Sequence, residues 1–329
     1  TWLTGEEVDE GRIWECNPLK ADSGQPRPAL GAFTHEAAAV DQDGKALYLT
    51  EDKPDGRLYR FVPDDYPDLS KGELSVAIVA DDKVTWEPVA DPLATTRPTR
   101  LQGKGTVFNG GEGIWCEDGV AFFTTKGDNR VWALDLGDST LEVIYDAAAI
   151  PDAPLTGVDN VTRSASGDLY VCEDGGNMEL VIISREREVG PFCRLVGQDG
   201  SELAGVAFSP DGRRLYVSSQ RGGSGSGLTY EIAGPFREAE KRPTATTTVP
   251  ATTTTLAALD RSKGDNAESG DSGSDDDSST TLVAGGIAAV AVAAAAGAAL
   301  TVRRRRAGNG ADAGDGDEER GAGTAGNGH

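Results

Sequence analysis

The chain has 329 residues, with 31 lysines and arginines against 54 aspartates and glutamates, which gives a formal charge of -23. This charge argues against a nucleic acid as partner, because phosphate backbones attract basic proteins. The 2 histidines are His35 and the last residue, so a histidine-rich zinc site is excluded by count. Any bound metal must be held by oxygen atoms. The cysteines (Cys16, Cys116, Cys172 and Cys193) show no C-x-x-C spacing, and their pairing stays open.

A hairpin unit recurs through the first two thirds of the chain. Each copy has a glycine turn, an apolar strand that ends in polar residues, a Gly or Asp turn and an aromatic-rich return strand. The spacing is about 45 residues, apart from a longer interval after Phe61 that contains a loop-like segment, 63–111. The copies start near Thr1, Lys45, Gly119, Gly167 and Arg213. This period is typical of a β-propeller with four short strands in each blade.

Residues 1–236 are therefore predicted to form an all-β domain, a β-propeller with about five visible blades. The chain starts at Thr1, inside a strand and without methionine, so we expect an upstream part that completes a six-bladed ring. A β-sandwich, or two small β-domains, is the alternative fold. Sandwiches rarely repeat one hairpin so regularly, which favours the propeller.

The composition changes after Phe236. Residues 237–281 are rich in Thr, Ser, Asp and Gly, which predicts a disordered linker. Residues 282–302 carry no charge and would span about 30 Å as a helix, the thickness of a bilayer core. Four arginines follow directly, so the positive-inside rule predicts a single-pass anchor in the cell membrane, with the propeller outside and a disordered cytoplasmic tail, 303–329. A soluble alanine-rich helix is the alternative.

Acidic residues lie at the ends of apolar strands in nearly every repeat. Because inner strands of propeller blades surround one channel, these residues are expected to converge, and clustered carboxylates require cations. Glu36 and Glu112 are embedded in small or apolar residues, which favours metal ligation over a solvated turn. Asp174 could equally belong to a hairpin turn. Lys126 and Arg130 lie near repeat turns and could bind an anionic substrate, although surface charge is the commoner reason for such residues.

Several motifs together resemble one known family. They include TWLTGEE, GAFTHEAAAVD, YLTED, GGEGIW, FTTKGDNRVWALD, SGDLYVCEDGG and AGVAFSPDGRRLYVSSQ. The resemblance is to the PhoX-type alkaline phosphatases, in their shorter bacterial branch, from Thr1 to about Phe236. It implies a propeller exported in folded form, with iron and calcium ions at the channel mouth that hydrolyse phosphate monoesters. The metal ligands that it implies are Glu7 (or Glu6), Glu36, Glu112, Asp159, Asp174 and Glu202.

In such a mechanism Lys126 or Arg130 would hold the small phosphorylated substrate, and we expect a monomer. Larger family members carry an iron-bridging cysteine where this chain has Gly5, and an arginine at the position of Gly110. These departures weaken the expectation of iron more than those of the fold and of calcium. A non-catalytic, calcium-stabilised propeller that acts as a tethered binding module is therefore the alternative function, and a lactonase-like calcium propeller is a third.

Overall fold

A computed structural model of the chain describes residues 1–222 and 225–238, together with the backbone of Val302–Arg305. Five antiparallel sheets follow one another along these residues and form the blades of a β-propeller, which confirms the predicted fold class. Three short 3-10 helices occur in the connections, at Pro28–Leu30, Thr99–Leu101 and Ala147–Ala149.

The blades are numbered here in chain order. Blade one is β1 (Trp2–Gly5), β2 (Ile13–Cys16) and β3 (Gln25–Pro26), and blade two is β4 (His35–Asp41), β5 (Ala46–Glu51), β6 (Leu58–Asp65), β7 (Asp68–Ala80) and β8 (Lys83–Pro88). Blade three is β9 (Gly111–Glu117), β10 (Val120–Thr125), β11 (Arg130–Asp135) and β12 (Leu141–Asp146). Blade four is β13 (Val158–Arg163), β14 (Leu169–Glu173), β15 (Glu179–Ile183) and β16 (Val189–Arg194). Blade five is β17 (Leu203–Phe208), β18 (Arg214–Ser219), β19 (Leu228–Ala233) and β20 (Val302–Arg305).

Blade two corrects one expectation. The segment 63–111 is predicted to be loop-like, but it contains the strands β7 and β8. They extend the sheet beyond β6, so this blade has five strands. The reason is local: the run Leu74 to Val79 is rich in β-branched and apolar residues, which favour a strand.

Blade one begins at a different place in the blade from the others. Its first strand carries Trp2-Leu3-Thr4 where β5 carries Tyr48-Leu49-Thr50, and it packs against β4 in the way that β5 packs against β9. β1 is therefore equivalent to the second strand of a complete blade. The inner strands of the other blades are β4, β9, β13 and β17, and each packs beside the next in chain order.

The core lies between neighbouring blades. Leu47, Leu49, Tyr59 and Phe61 of blade two are fully buried against Ile13 of blade one. Each such side chain contributes about 1.5 to 3 kcal/mol relative to an exposed one. A second group, between blades four and five, includes an edge-to-face pair of Tyr170 and Phe208 whose ring centroids are 5.1 Å apart. Because these contacts join blades, the fold holds the inner strands side by side.

Other predictions fall partly or wholly outside these residues. The predicted linker, membrane segment and tail lie outside the described residues, except for Arg237, Glu238 and Val302–Arg305, and β20 pairs with β19 through its backbone. No helix within the described ranges is long and apolar enough to cross a membrane. The four cysteines are free. Cys172 and Cys193 each pair with Leu180, from opposite sides of β15, which keeps them apart.

Candidate metal centre at the channel mouth

Each complete blade has a β-bulge in the first half of its inner strand. The inner strand has one extra residue at this point: His35 and Ala38 of β4 are three residues apart, whereas their partners in β5, Glu51 and Leu49, are two apart. The same irregularity recurs in β9, β13 and β17. A bulge turns a side chain away from the normal alternation of a strand. The residues that follow the first member of the bulge are Glu36, Glu112, Asp159 and Gly205.

Two groups of carboxylates meet at this end of the inner strands. In each group, the oxygens that could bind an ion lie within 4.8 Å of one another. The first group is Glu36, Glu112 and Asp159, and the second is Asp159, Asp174 and Glu202. The structure thus brings together five of the six residues predicted as metal ligands, and Asp159 belongs to both groups. Ligation itself stays a prediction.

Hydrogen bonds from neighbouring blades hold the bulged residues. The Thr50 hydroxyl of blade two donates to the Glu112 carbonyl of blade three. In the same way, the Thr124 hydroxyl of blade three donates to the Asp159 carbonyl of blade four, at 2.5 Å. These threonines occupy the same position in β5 and β10. They fix the backbone from which the carboxylates project.

Asn160 orients the carboxylate that the two groups share. Its Nδ2 donates to Asp159 Oδ1 at 2.6 Å, and its Oδ1 accepts from the Gly205 backbone nitrogen of blade five at 2.6 Å. The other oxygen, Asp159 Oδ2, is buried and has no hydrogen-bond partner among the described residues. A buried carboxylate oxygen without a partner is costly, so this atom is suited to an ion.

Burial and mutual repulsion set the electrostatics of the centre. Burial, then the charges of Asp159 and Glu7, raise the pKa of Glu36 to about 8. Burial, with the neighbouring carboxylates, also raises the pKa of Glu112 and that of Asp159 above their usual ranges. Each shift is a cost of placing anions together in a poorly solvated site. The centre therefore favours protons or metal ions.

Lys126 is the cation inside this arrangement. Its Nζ lies 2.7 Å from Glu112 Oε1 and 3.1 Å from Asp174 Oδ2, so it joins one member of each group. Burial alone would lower the pKa of Lys126, but the hydrogen bond and charge of Glu112, with the hydrogen bond of Asp174, outweigh it and raise that pKa. The role of Lys126 in substrate binding stays a prediction.

Glu7 lies beside the two groups rather than within either. It lines a depression of about 350 Å³ together with Gly5, His35 and Glu36. Burial, then the charge of Asp52, raise the pKa of Glu7. Glu6, the other candidate at this position, is turned away, since its Oε2 accepts from the Arg12 backbone nitrogen at 3.0 Å. Of the two, Glu7 faces the centre.

Arg130, the other predicted substrate-binding residue, is held by different partners. Its guanidinium bonds Asp128 at 3.2 Å and Asp146 at 2.9 Å, and it lies over the Trp132 ring, 5.7 Å from the ring centroid. Neither of the two carboxylate groups is among these contacts. A role for Arg130 in substrate binding would require these ion pairs to open.

The two glycines that depart from the larger family members are both structurally constrained. A Cβ at Gly5 would lie 2.8 Å from the His35 carbonyl oxygen, because β1 packs closely on β4. Gly110 has a φ of +66°, a conformation that favours glycine. A cysteine at position 5 would therefore need a shift of β1 or β4.

The ligand set predicted from the sequence omits Asp52 and Asn160, although both stand at strand ends among the candidate residues, and the two threonines were missed altogether. Asp52 acts on the pKa of Glu7 and of Glu36. Its signal was its place directly after a second strand, where Asp174 also stands. No signal in the sequence marks the threonines, since their acceptors lie in the next blade.

The chain has a low similarity to several solved structures. Among solved structures, a nidogen/laminin complex is similar at a TM-score of 0.47 and 13% identity, covering 70% of this chain and 73% of that one. A periplasmic gluconolactonase from Pseudomonas aeruginosa has a TM-score of 0.39 and 14% identity, covering 71% and 78%. These scores are too low for a functional conclusion. No curated protein sequence matches the chain.

A family match covers most of the described residues. Residues 3–134 and 127–223 match the sequence model described as "Alkaline phosphatase PhoX". That family is metal-dependent, and the two carboxylate groups have the composition to hold metal ions. The match spans more than half of the chain, so the protein belongs to the PhoX alkaline phosphatase family.

Proposed function

We propose that the protein is a metal-dependent phosphatase that hydrolyses phosphate monoesters, with cations held by carboxylates at the channel mouth. The observation that carries this proposal is Asp159. Its carboxylate is fully buried, belongs to both acidic groups and has one oxygen without a hydrogen-bond partner in the described residues. A buried carboxylate oxygen without a partner is rare in folded proteins, and a bound cation would account for it. Family membership supports a phosphatase as the chemistry.

The donor atoms favour a hard cation. Both groups offer carboxylate oxygens only, which suits calcium. The thiolate that would bridge two irons in larger members is replaced by Gly5, and the close approach of His35 leaves no room for it. The residues present therefore fit calcium, and they fit iron only as an ion held by oxygen atoms. We propose calcium as the cofactor and no thiolate-bridged iron pair.

The chain's own residues would perform the remaining steps. Bound cations supply charge neutralisation at the phosphate and a lower pKa for bound water. Lys126, one third exposed, is the ammonium closest to the ligands and would pair with a phosphate oxygen. Thr124 and Asn160 hold Asp159 in place, which keeps the ligand set preorganised. Glu36 would bind a cation after losing the proton that its raised pKa, about 8, retains in the metal-free protein.

The test is turnover of a generic monoester, 4-nitrophenyl phosphate, by the full chain after chelation and reconstitution. We expect hydrolysis from neutral to alkaline pH with calcium, or with calcium and iron, and none after chelation. Glu112→Gln should lose most of the activity while it stays folded. Calcium binding without turnover of the monoester would overturn the proposal, and turnover of a lactone in its place would favour the lactonase-like reading.

A second candidate function is a binding module stabilised by calcium. It is favoured by Gly5, which removes a thiolate, and by the pairing of Lys126, which leaves the substrate-facing ammonium engaged with Glu112 and Asp174. Metal analysis with activity measurement separates the two functions. Calcium bound at the centre, an unchanged fold in Glu36→Ala and no turnover of any ester would support the module.

We propose a location outside the cell and a monomeric state, with a tether in residues 282–302. The support is the uncharged sequence of this segment and the arginines that follow it. Membrane insertion would place Arg303–Arg305 on the far side of the bilayer, so the pairing of β20 with β19 would have to open. Recovery of the full chain in a detergent-soluble membrane fraction supports the tether, and its release by salt alone counts against it.

A further inference from the structure

Lys126 stands where two neighbouring blades carry an aspartate. The last residues of β5, β10 and β14 pair with the first residues of β4, β9 and β13. The residues directly after these strand ends are therefore equivalent, and they are Asp52, Lys126 and Asp174. Blade three thus places an ammonium within a series of carboxylates.

The ammonium lies where it neutralises both groups at once. Lys126 Nζ is 2.7 Å from Glu112 Oε1, in the first group, and 3.1 Å from Asp174 Oδ2, in the second. Glu112 is only 2% exposed, so few waters can compensate its charge. Without bound metal, Lys126 is the nearest compensating charge that the described residues provide.

The backbone of Lys126 is held, while its side chain can leave. Its backbone nitrogen donates to the Gly110 carbonyl at 2.7 Å, and its carbonyl accepts from Asn129 at 3.3 Å. The side chain is 33% exposed, so it has a direct way to solvent. A carboxylate oxygen that binds calcium at about 2.4 Å cannot keep a lysine ammonium at hydrogen-bond distance beside the same ion without strong repulsion.

We propose that Lys126 is a built-in counterion, which occupies the space between the two carboxylate groups in the metal-free protein and is displaced to the rim when a cation enters. It therefore lowers the affinity of the centre for cations and stabilises the empty fold. This inference rests on the proposed metal binding and adds the residue that controls it. After displacement, the Lys126 ammonium can pair with an anionic substrate.

The first test compares Lys126→Met with Lys53→Met in the full chain after chelation. Lys53 is a matched control, because its side chain is 30% exposed and pairs with Asp9, at 2.7 Å, outside both groups. We expect Lys126→Met to lower the Tm of the metal-free protein by at least about 3 °C and to lower the calcium Kd about tenfold. Lys53→Met should change neither. Calorimetry with calcium chloride alone gives both Kd values.

A second measurement needs no variant and so does not depend on folding of the mutant. Acetylation of lysine amines by a water-soluble acylating reagent, read by mass spectrometry, reports how free each ammonium is. We expect the labelling rate of Lys126 to rise several-fold on addition of calcium, while that of Lys53 stays constant.

The outcomes separate this inference from the proposed function. Equal calcium affinity and metal-free Tm in Lys126→Met and Lys53→Met would overturn the counterion, as would Lys126 labelling that calcium leaves unchanged. Calcium binding with the predicted Lys126 behaviour but without phosphatase turnover supports the counterion and counts against the enzyme. Absence of calcium binding by the wild-type chain would overturn both.

Discussion

Blades three and five both carry a β-bulge at the channel mouth, but their chemistry there differs. The bulge follows the first residue pair of the inner strand in blade three and the second pair in blade five. At the bulge, blade three has Glu112, buried beside Lys126, whereas blade five has Gly205, exposed and with a φ of +61°. The bulge is therefore a property of the fold, and the residue placed on it decides whether a blade contributes a ligand. Glu202 supplies the carboxylate of blade five from one residue before the strand instead.

The largest effect is expected when the carboxylate that the two groups share is removed. Asp159→Asn keeps the shape but removes the charge, so calcium affinity and phosphatase activity should fall by at least about 100-fold. The metal-free protein should remain folded, since a buried charge is removed. Calorimetry and monoester hydrolysis measure the effect, with Asp211→Asn in an exposed turn as control. Retention of calcium affinity in Asp159→Asn would mean that the groups are not the ligands.

The pH dependence of calcium binding also distinguishes the blades, because only the bulges with carboxylates titrate. Burial, with Asp159 and Glu7, raises the pKa of Glu36 to about 8, so calcium must displace a proton below that pH. Calcium affinity should therefore fall about tenfold per pH unit below pH 8 for each proton released. Titration in two buffers of different ionisation enthalpy counts these protons.

The same pKa shift makes the folding stability of the metal-free protein fall as pH rises, whereas its calcium affinity rises. The pKa of Glu36 is higher in the folded state than its ordinary value of 4.5, so the folded metal-free protein binds more protons between these pH values. Its free energy of unfolding should fall as pH rises from about 4.5 to 8. Glu36→Gln should flatten this decline in urea unfolding, and an equally steep decline in that variant would assign it to other groups.

Blade five can be given a carboxylate at its bulge, as blade three has. A side chain at Gly205 meets no atom within 4 Å, so Gly205→Asp fits sterically. Its positive φ should cost about 1 to 2 kcal/mol in unfolding free energy without calcium. Calcium should restore part of this loss in Gly205→Asp but none of it in the uncharged control Gly205→Asn. Urea unfolding with and without calcium distinguishes them, and equal behaviour would show that this bulge does not face the ion.

The smallest expected effect concerns the bonds between blades. Thr124→Val removes the hydroxyl that donates to the Asp159 carbonyl and to the Gly113 carbonyl. The free energy of unfolding should fall by about 1 kcal/mol, with a loss of activity below tenfold. Thr229→Val, at an outer strand of blade five, is the control. No loss of activity in Thr124→Val would show that Asp159 keeps its place without this bond.

The hairpins and the convergence of acidic residues were predictable from the sequence. Alternating apolar residues, glycine turns and a regular period indicate blades, and blades bring strand ends together. Glu36 and Glu112 were identified because a carboxylate among small or apolar residues is unusual, whereas Asp159 was implied by the family resemblance. The strand β7 was not predicted, because the acidic and proline residues of its turn hid the pattern that follows.

The bulges could not be predicted, because one extra residue in an inner strand such as His35–Asp41 leaves no mark in a run of small residues. The bridging position of Lys126 and the cross-blade bonds of Thr50 and Thr124 depend on atoms in the next blade. Such contacts are set by the packing of sheets rather than by local pattern. The centre was thus predictable in its ligands but not in the features that orient and neutralise them.

The position of Arg237 bears on how large a molecule can reach the centre. This residue pairs with Asp168 at 3.3 Å, beside the turn that begins β14, whereas the carboxylates lie where β14 ends. The described chain thus ends near the end of β14 that is opposite to the carboxylates. The proposed tether would then be attached away from the carboxylates, which would leave room for a large phosphorylated molecule as well as for a small ester.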